Sequence, residues 1–265
     1  LTGDQFLTFD VIGDLAFGEP FGCLDSSTYH PWVSMIFDSI SMIGFSQALA
    51  YYPSFQFLAE HLIPSSFRRK FADHSRMTRE KALRRKESKV DKNDLISNLL
   101  KEENGITDDE LFGNSMTLIV AGSETTATVL AGVTWYLLKN ERCLEILKEE
   151  VRGRFKSEEE IDFVGVGQLK YMLACLNEAM RIFPPAPVGH PRIVPGVGEE
   201  VDGKFVPGGA QVSIFRYAAN LSPRNFSRPN EYHPERWLGD PEFEHDDLAV
   251  MQPFSYGPRN CIGKK

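Results

Sequence analysis

Residues 253–263 read Pro-Phe-Ser-Tyr-Gly-Pro-Arg-Asn-Cys-Ile-Gly and set Cys261 inside a turn-forming frame with Arg259 close by. Such a frame suits a thiolate held against a metal cofactor. A thiolate persists where backbone N–H donors and a positive end lie nearby, and a cysteine entering a helix N-terminus gains both. Gly257 permits a tight turn and Pro258 stiffens it. Gly263 lets the following helix approach a flat ring closely, Phe254 can pack beside the sulfur, and Arg259 can pair with a ring propionate. As a ligand to haem iron, a thiolate pushes electron density toward bound oxygen and favours O–O cleavage. A lone cysteine is usually a small buried hydrophobe; the surrounding frame sets Cys261 apart.

Two further groups of residues could do chemistry. Ala121-Gly122-Ser123-Glu124-Thr125-Thr126 falls inside a long helical pattern. A glycine and three hydroxyls in a helix can reflect close packing alone. The functional reading is that Thr125 bonds back to the carbonyl of Ala121 and opens the helix locally. Gly122 then leaves room for a diatomic ligand, and Glu124 with Thr125 relays protons to it. The third group is Glu178 with Arg181, which share a helix face at i and i+3. The same spacing at Glu149 and Arg152 reads as an ordinary surface pair. Glu178 differs in being followed by Pro184-Pro185 and then by Pro234-Glu235-Arg236-Trp237.

The elements that must carry these groups follow from periodicity and breakers. The first 60 residues look helical and apolar, broken at Gly18-Glu19-Pro20, Pro31 and Pro53. Residues 64–92 are rich in basic side chains, among them Arg68, Arg69, Lys70, Arg84, Arg85 and Lys86, interleaved with Asp73, Glu80 and Glu87. They read as a solvated helix face. Thr107 and Glu110 have capping-box spacing, and a helix can run from Asp108 to about Lys139, roughly 48 Å at 1.5 Å per residue. A charged helix suits 141–154, and another suits 168–182, with Leu169, Met172, Leu173, Leu176 and Met180 on its apolar face and Pro184-Pro185 ending it. Beyond it, Asp202-Gly203 signals a hairpin. Pro207-Gly208-Gly209 makes a turn, and Val212 and Ile214 alternate as a strand would. Residues 221–239 read as ordered coil.

Composition bounds the rest. With 265 residues, 42% hydrophobic and 25% charged, the chain is globular in character. A net charge of −8 argues against nucleic acid as a partner. Cys23, Cys143, Cys175 and Cys261 form no CxxC pair, so neither a zinc site nor a disulfide framework is indicated, and a reducing compartment fits. No signal peptide is visible. Ser39–Ala59 carries no charge but holds serines, glutamines, Gly44 and Pro53, too polar for a span of about 20 apolar residues. It reads as a buried helix pair or as a surface dipping into a bilayer interface. His190 and His233 read as incidental.

At Phe254, Gly257, Arg259, Cys261 and Gly263 the chain resembles the haem-binding loop of the cytochrome P-450 monooxygenases. Residues 121–126 look like that family's oxygen-activation motif, with Glu124 as the acid. Residues 1–20 resemble a mid-domain helix of the family, and segments near Arg216 and His233 are most similar to fungal microsomal members. The resemblance implies a mainly α fold with a small β part. This would be an incomplete cytochrome P-450 domain over 1–265, helical to 182, with a β and coil part carrying the haem-ligand loop over 183–265. It implies Cys261 as the thiolate ligand of haem b, Arg192 as a propionate partner, and Glu178, Arg181 and Arg236 as a structural ion network behind the haem loop. It further implies O2 and a small hydrophobic substrate, electrons from NADPH through a cytochrome reductase, and the cytosolic face of the endoplasmic reticulum membrane for the full-length protein. The substrate cavity would be lined from Val33–Leu62, Leu118–Thr126 and Val188–Ile193.

Full-length family members are nearly twice as long, so the chain is expected to be a fragment, inactive alone, without the membrane anchor, the early helices and most of the main sheet. Two other functions compete. A haem-thiolate isomerase or dehydratase would act on a peroxide and need no acid–alcohol pair, and a truncated remnant would not be an enzyme.

Overall fold

α-Helices dominate the computed structural model, which describes residues 2–28, 52, 65–88, 94–101 and 105–264. The breaks expected at Pro31 and Pro53 and the cavity segment Val33–Leu62 lie outside these residues, as does Ser39–Ala59, Tyr52 apart. The chain divides into two units, Leu1–Ala127 and Thr128–Lys265, with the division inside the longest helix.

In the first unit, α1 (Thr2–Phe17) buries Phe6, Phe9, Ile12, Ala16 and Phe17. It ends where the chain turns left-handed at Gly18, φ +75°. Asp10 is buried on the same helix because both carboxylate oxygens are used. They accept from the amides of Cys23 at 3.0 Å and Leu24 at 2.8 Å, capping α2 (Cys23–Ser26).

The basic segment forms α3 (Ser65–Glu87), and most of its cations are solvated as expected. Lys81 and Arg85 are buried instead; Lys81 pairs with Glu19 at 2.8 Å. Arg85 is held on two sides. It is buried against Asp94 at 2.7 Å and donates to Ser97 Oγ at 2.8 Å. Asp94 at the same time caps α4 (Leu95–Leu99) by accepting from the Ser97 amide. A buried cation needs such a partner, and residues 64–92 carry no mark that Asp94 lies next to one of their arginines.

α5 (Asp108–Lys139) opens with the expected capping box. The Thr107 amide donates to Glu110 Oε2 at 2.9 Å and the Glu110 amide to Thr107 Oγ1 at 3.3 Å. Leu111 and Ile119 join Phe6, Phe9, Phe17, Ala82 and Ile96 in the core of this unit.

In the second unit, α6 (Glu141–Arg154) presents Glu150 to the start of α8 (Lys170–Ile182), where its two oxygens accept the amides of Tyr171 and Met172. A short α7 (Phe163–Val166) lies between them in sequence. α8 ends before Pro184-Pro185 as expected, but of the expected Leu/Met stripe only Leu169, just ahead of the helix, is buried. Tyr171, Ala174, Cys175, Glu178, Ala179, Arg181 and Ile182 are buried, Met172, Leu176 and Met180 are half-buried, and Leu173 is 41% exposed. Hydropathy ranks Glu178 and Arg181 outward; their mutual pairing reverses that order.

The β part is two small antiparallel pairs. β2 (Gly198–Val201) and β3 (Lys204–Pro207) form the hairpin around Asp202 and Gly203, both at positive φ. β1 (Arg192–Ile193) pairs with β4 (Gln211–Val212), which stops short of Ile214. After the short α9 (Arg216–Asn220), residues 221–264 run through turns and 3-10 segments at Pro234–Leu238, Pro241–Phe243, Leu248–Val250 and Ile262–Lys264.

Candidate functional site: a cysteine loop, a buried ion network and an acid on the long helix

The Cys261 loop closes on itself. The Cys261 amide donates to the Phe254 carbonyl at 2.8 Å, and the Asn260 amide to the Gly257 carbonyl at 3.0 Å. Gly257 sits at φ +86° and Ser255 at φ +63°, so two left-handed residues turn the chain. Cys23, Cys143 and Cys175 are buried, and burial pushes the Cys175 thiol up to about 12; Cys261 is exposed. A Cβ on Gly263 would stand 3.7 Å from the Cys261 sulfur, ordinary contact distance. Phe254 is half-buried, and Ile262, next in sequence to Cys261, is 88% exposed. Arg259 is exposed, as is Arg192 on β1, and neither forms an ion pair among the described residues. The residue types fit a flat apolar ring bearing a metal and carboxylates: an exposed thiol at Cys261, apolar Phe254 and Ile262 in the same loop, and guanidinium groups at Arg259 and Arg192 without an ion pair among the described residues.

Upstream of this loop lies a buried network. The side chains of Glu178, Arg181 and Arg236 are 0% exposed. Arg181 holds Glu178 by a two-pronged contact, Nε to Oε2 at 2.9 Å and Nη2 to Oε1 at 2.8 Å. Its remaining donors reach the carbonyls of Asn220, Pro229 and Glu231. Glu178 also accepts from Arg236 Nε at 3.4 Å, from Trp237 Nε1 at 2.9 Å and from the His233 amide at 3.1 Å. Arg236 stacks over Phe243 at 4.3 Å and forms an ion pair with Asp246. Burial pulls its guanidinium below the ordinary value, opposed by Glu178. The structure therefore brings together the three residues singled out in the sequence.

Sequence reasoning missed Asp246, Asn220, Trp237 and Phe243. Trp237 was within reach as the neighbour of Arg236, but Asp246, in a Glu-His-Asp-Asp run, reads as solvated surface. It also missed the clamp of Arg142 on Glu235, at 2.7 and 3.1 Å, where Tyr171 donates to the same carboxylate. His233 contributes its backbone, with its ring against Phe243. Glu149 and Arg152 are both exposed.

On α5, Thr125 Oγ1 donates to the Ala121 carbonyl at 2.7 Å and the buried Ser123 Oγ to the Ile119 carbonyl at 2.6 Å. The helix continues unbroken through both, so the back-bond does not open it. Nor does Gly122 leave space: a Cβ there would meet Ile12 Cδ1 at 2.6 Å and Cγ1 at 2.9 Å. The glycine is a packing contact with α1. Glu124 is half-buried, its enclosed Oε1 has no hydrogen-bond partner among the described residues, and burial raises its pKa. An acid held in that state keeps a proton at higher pH than a solvated one.

Residues 5–265 match the family described as Cytochrome P450. The chain belongs to the cytochrome P450 family. It is 48% identical over 258 residues to the cytochrome P450 monooxygenase cpaH of Aspergillus oryzae, covering 97% of this chain and 51% of that protein. It is also 48% identical over 263 residues to the cytochrome P450 monooxygenase astA of Talaromyces wortmannii, covering 98% and 53%. The averantin hydroxylase of Dothistroma septosporum is 41% identical over 264 residues, covering 98% and 50%. This P450 chain thus spans about half the length of the curated relatives it matches. The family implies a haem held by a cysteine thiolate, and the exposed thiol and arginines of this P450 fit that group.

Proposed function

We propose that the protein containing these residues is a haem-dependent monooxygenase that inserts one atom of O2 into a small hydrophobic substrate. The two electrons come from NADPH through a cytochrome reductase. The observation that carries this reading is Cys261, an exposed thiol in a loop closed by its own amide. In it, Cys261 supplies the thiolate ligand, Arg259 and Arg192 pair with the propionates, and Phe254, Gly257 and Gly263 shape the surface against the ring. When bound, the haem supplies the activation of dioxygen. Glu178, Arg181 and Arg236 brace the loop without touching substrate.

Glu124 holds and delivers the proton, with Thr125 beside it as the alcohol. Its enclosed oxygen favours this reading over a peroxide isomerase, which has no use for a held proton. The full-length protein works at the cytosolic face of the endoplasmic reticulum membrane, a reading that rests on the resemblance to fungal microsomal members of the family. Averantin, which appears in the name of one relative, the averantin hydroxylase of Dothistroma septosporum, is a first probe substrate.

The test combines the protein at its relatives' length with a reductase and NADPH. Oxygen uptake with product carrying one oxygen atom from O2 is expected. Conversion of a hydroperoxide with no oxygen uptake contradicts the proposal.

A further inference from the structure

The buried network holds two guanidinium groups, those of Arg181 and Arg236, against one carboxylate at Glu178, all with side chains 0% exposed. One carboxylate cannot neutralise two buried cations, and an uncompensated buried charge is strongly unfavourable. The missing charge is Asp246. Its side chain is 1% exposed, Oδ2 meets Arg236 Nη1, and Oδ1 accepts the Ser227 amide at 2.6 Å. With it, two cations face two anions and the cluster is neutral.

Asp246 also lies on the strap between Arg236 and the cysteine loop. Along residues 239–264 the buried side chains are those of Phe243, Asp246 and Met251; from 252 onward every described residue is half-buried or exposed. Arg236 touches two of these anchors, stacking on Phe243 at 4.3 Å and pairing with Asp246. The adjacent Asp247 amide donates to the Asn225 carbonyl at 2.8 Å, fixing the strap at the same point. A continuous path of charge contacts therefore runs from Glu178 on α8 through Arg236 to Asp246, the charged anchor of the strap that leads to Cys261.

We propose that Asp246 is the fourth member of the buried charge network and the positioning residue through which that network holds the Cys261 loop. This rests on the haem-ligand reading only for what the loop does, not for how it is held.

The test uses the haem-loaded protein at its relatives' length and compares the parent, Arg236→Gln, Asp246→Asn, and the Arg236→Gln/Asp246→Asn double variant. Hydrogen exchange is read on peptides covering 252–262 and 171–182, and the ferrous carbonyl complex is scored for its thiolate-type Soret band. Asp246→Asn leaves one cation uncompensated, so exchange in 252–262 should quicken roughly tenfold, more than in 171–182, with a smaller thiolate-type fraction. The double variant, again neutral, should recover part of both. Unchanged exchange at 252–262, an equal rise in both peptides, or a double variant as impaired as the two single losses combined would overturn the proposal. If Asp246→Asn does not accumulate, the neutral double variant must; failure of both overturns it too. If the parent itself lacks a thiolate-type band, the haem reading fails, while the exchange comparison still decides how the loop is held.

Discussion

Ile12 of α1 fills the space that a side chain on Gly122 of α5 would need, its Cδ1 lying 2.6 Å from where that Cβ would stand. Gly122→Ala gains about 0.5–1 kcal/mol of helix propensity and loses about 1–3 kcal/mol to overpacking. The balance is a loss of up to ~2.5 kcal/mol. Chemical denaturation should show it, and adding Ile12→Val should recover part by removing the methyl nearest the clash. A Gly122→Ala variant as stable as the parent would mean that the α1–α5 contact is not close.

The buried network and the surface clamp on Glu235 should answer very differently to truncation. Glu178→Ala leaves the buried network one positive charge in excess and takes the acceptor from Arg181, from Arg236 Nε, from the Trp237 indole N–H and from the His233 amide. A loss of about 3–5 kcal/mol follows. Arg142→Ala removes a two-pronged pair whose arginine is 59% exposed, with a cost of about 1 kcal/mol or less. Equal losses in denaturant melts would show that burial does not set the strength of these pairs. Arg181→Lys should also be costly, because an ammonium cannot bridge both oxygens of Glu178 while reaching three carbonyls.

Glu124 gives stability a pH dependence of definite sign. Burial raises its native pKa above the ordinary 4.5, so the native state holds the proton after the unfolded chain has released it. Stability then falls as pH rises through the interval between 4.5 and the raised native value, and levels off above it. Glu124→Gln removes this decline, so the variant should gain on the parent as pH rises through that window. Thermal melts at a series of pH values read the difference; parallel profiles would show that Glu124 is solvated. In turnover, the proposed role of Glu124 in proton delivery predicts a slower variant, since an amide cannot give up the carboxyl proton.

The capping box at the head of α5 offers a local control. Thr107→Ala leaves the Glu110 amide without its side-chain acceptor and should cost about 1 kcal/mol without altering any spectrum of a bound haem.

What was legible in the sequence is what local rules decide. The capping box, the Asp202-Gly203 hairpin, the ends of α6 and the closing of α8 by Pro184-Pro185 each depend on a few adjacent residues, and each stands where it was expected. The meeting of Glu178, Arg181 and Arg236 was legible through resemblance, since nothing in the spacing of Arg236 names its partner. Long-range contacts were not legible. Gly122 reads as space until Ile12 is seen in it, and Arg85 reads as solvated until Asp94 is beside it. Leu173 reads as core until Glu178 and Arg181 claim the inner face of the helix by satisfying each other. Asp246, a carboxylate in a run of charged residues, has no sequence mark that separates it from its exposed neighbours.

The central claim is that Cys261 is a thiolate ligand to haem iron. Its most direct measurement is the spectrum of the reduced protein with carbon monoxide, taken on the parent and on Cys261→Ser side by side. A thiolate-type Soret band in the parent that disappears in Cys261→Ser is the predicted result. A band that survives the substitution, or a parent that shows none, would contradict it.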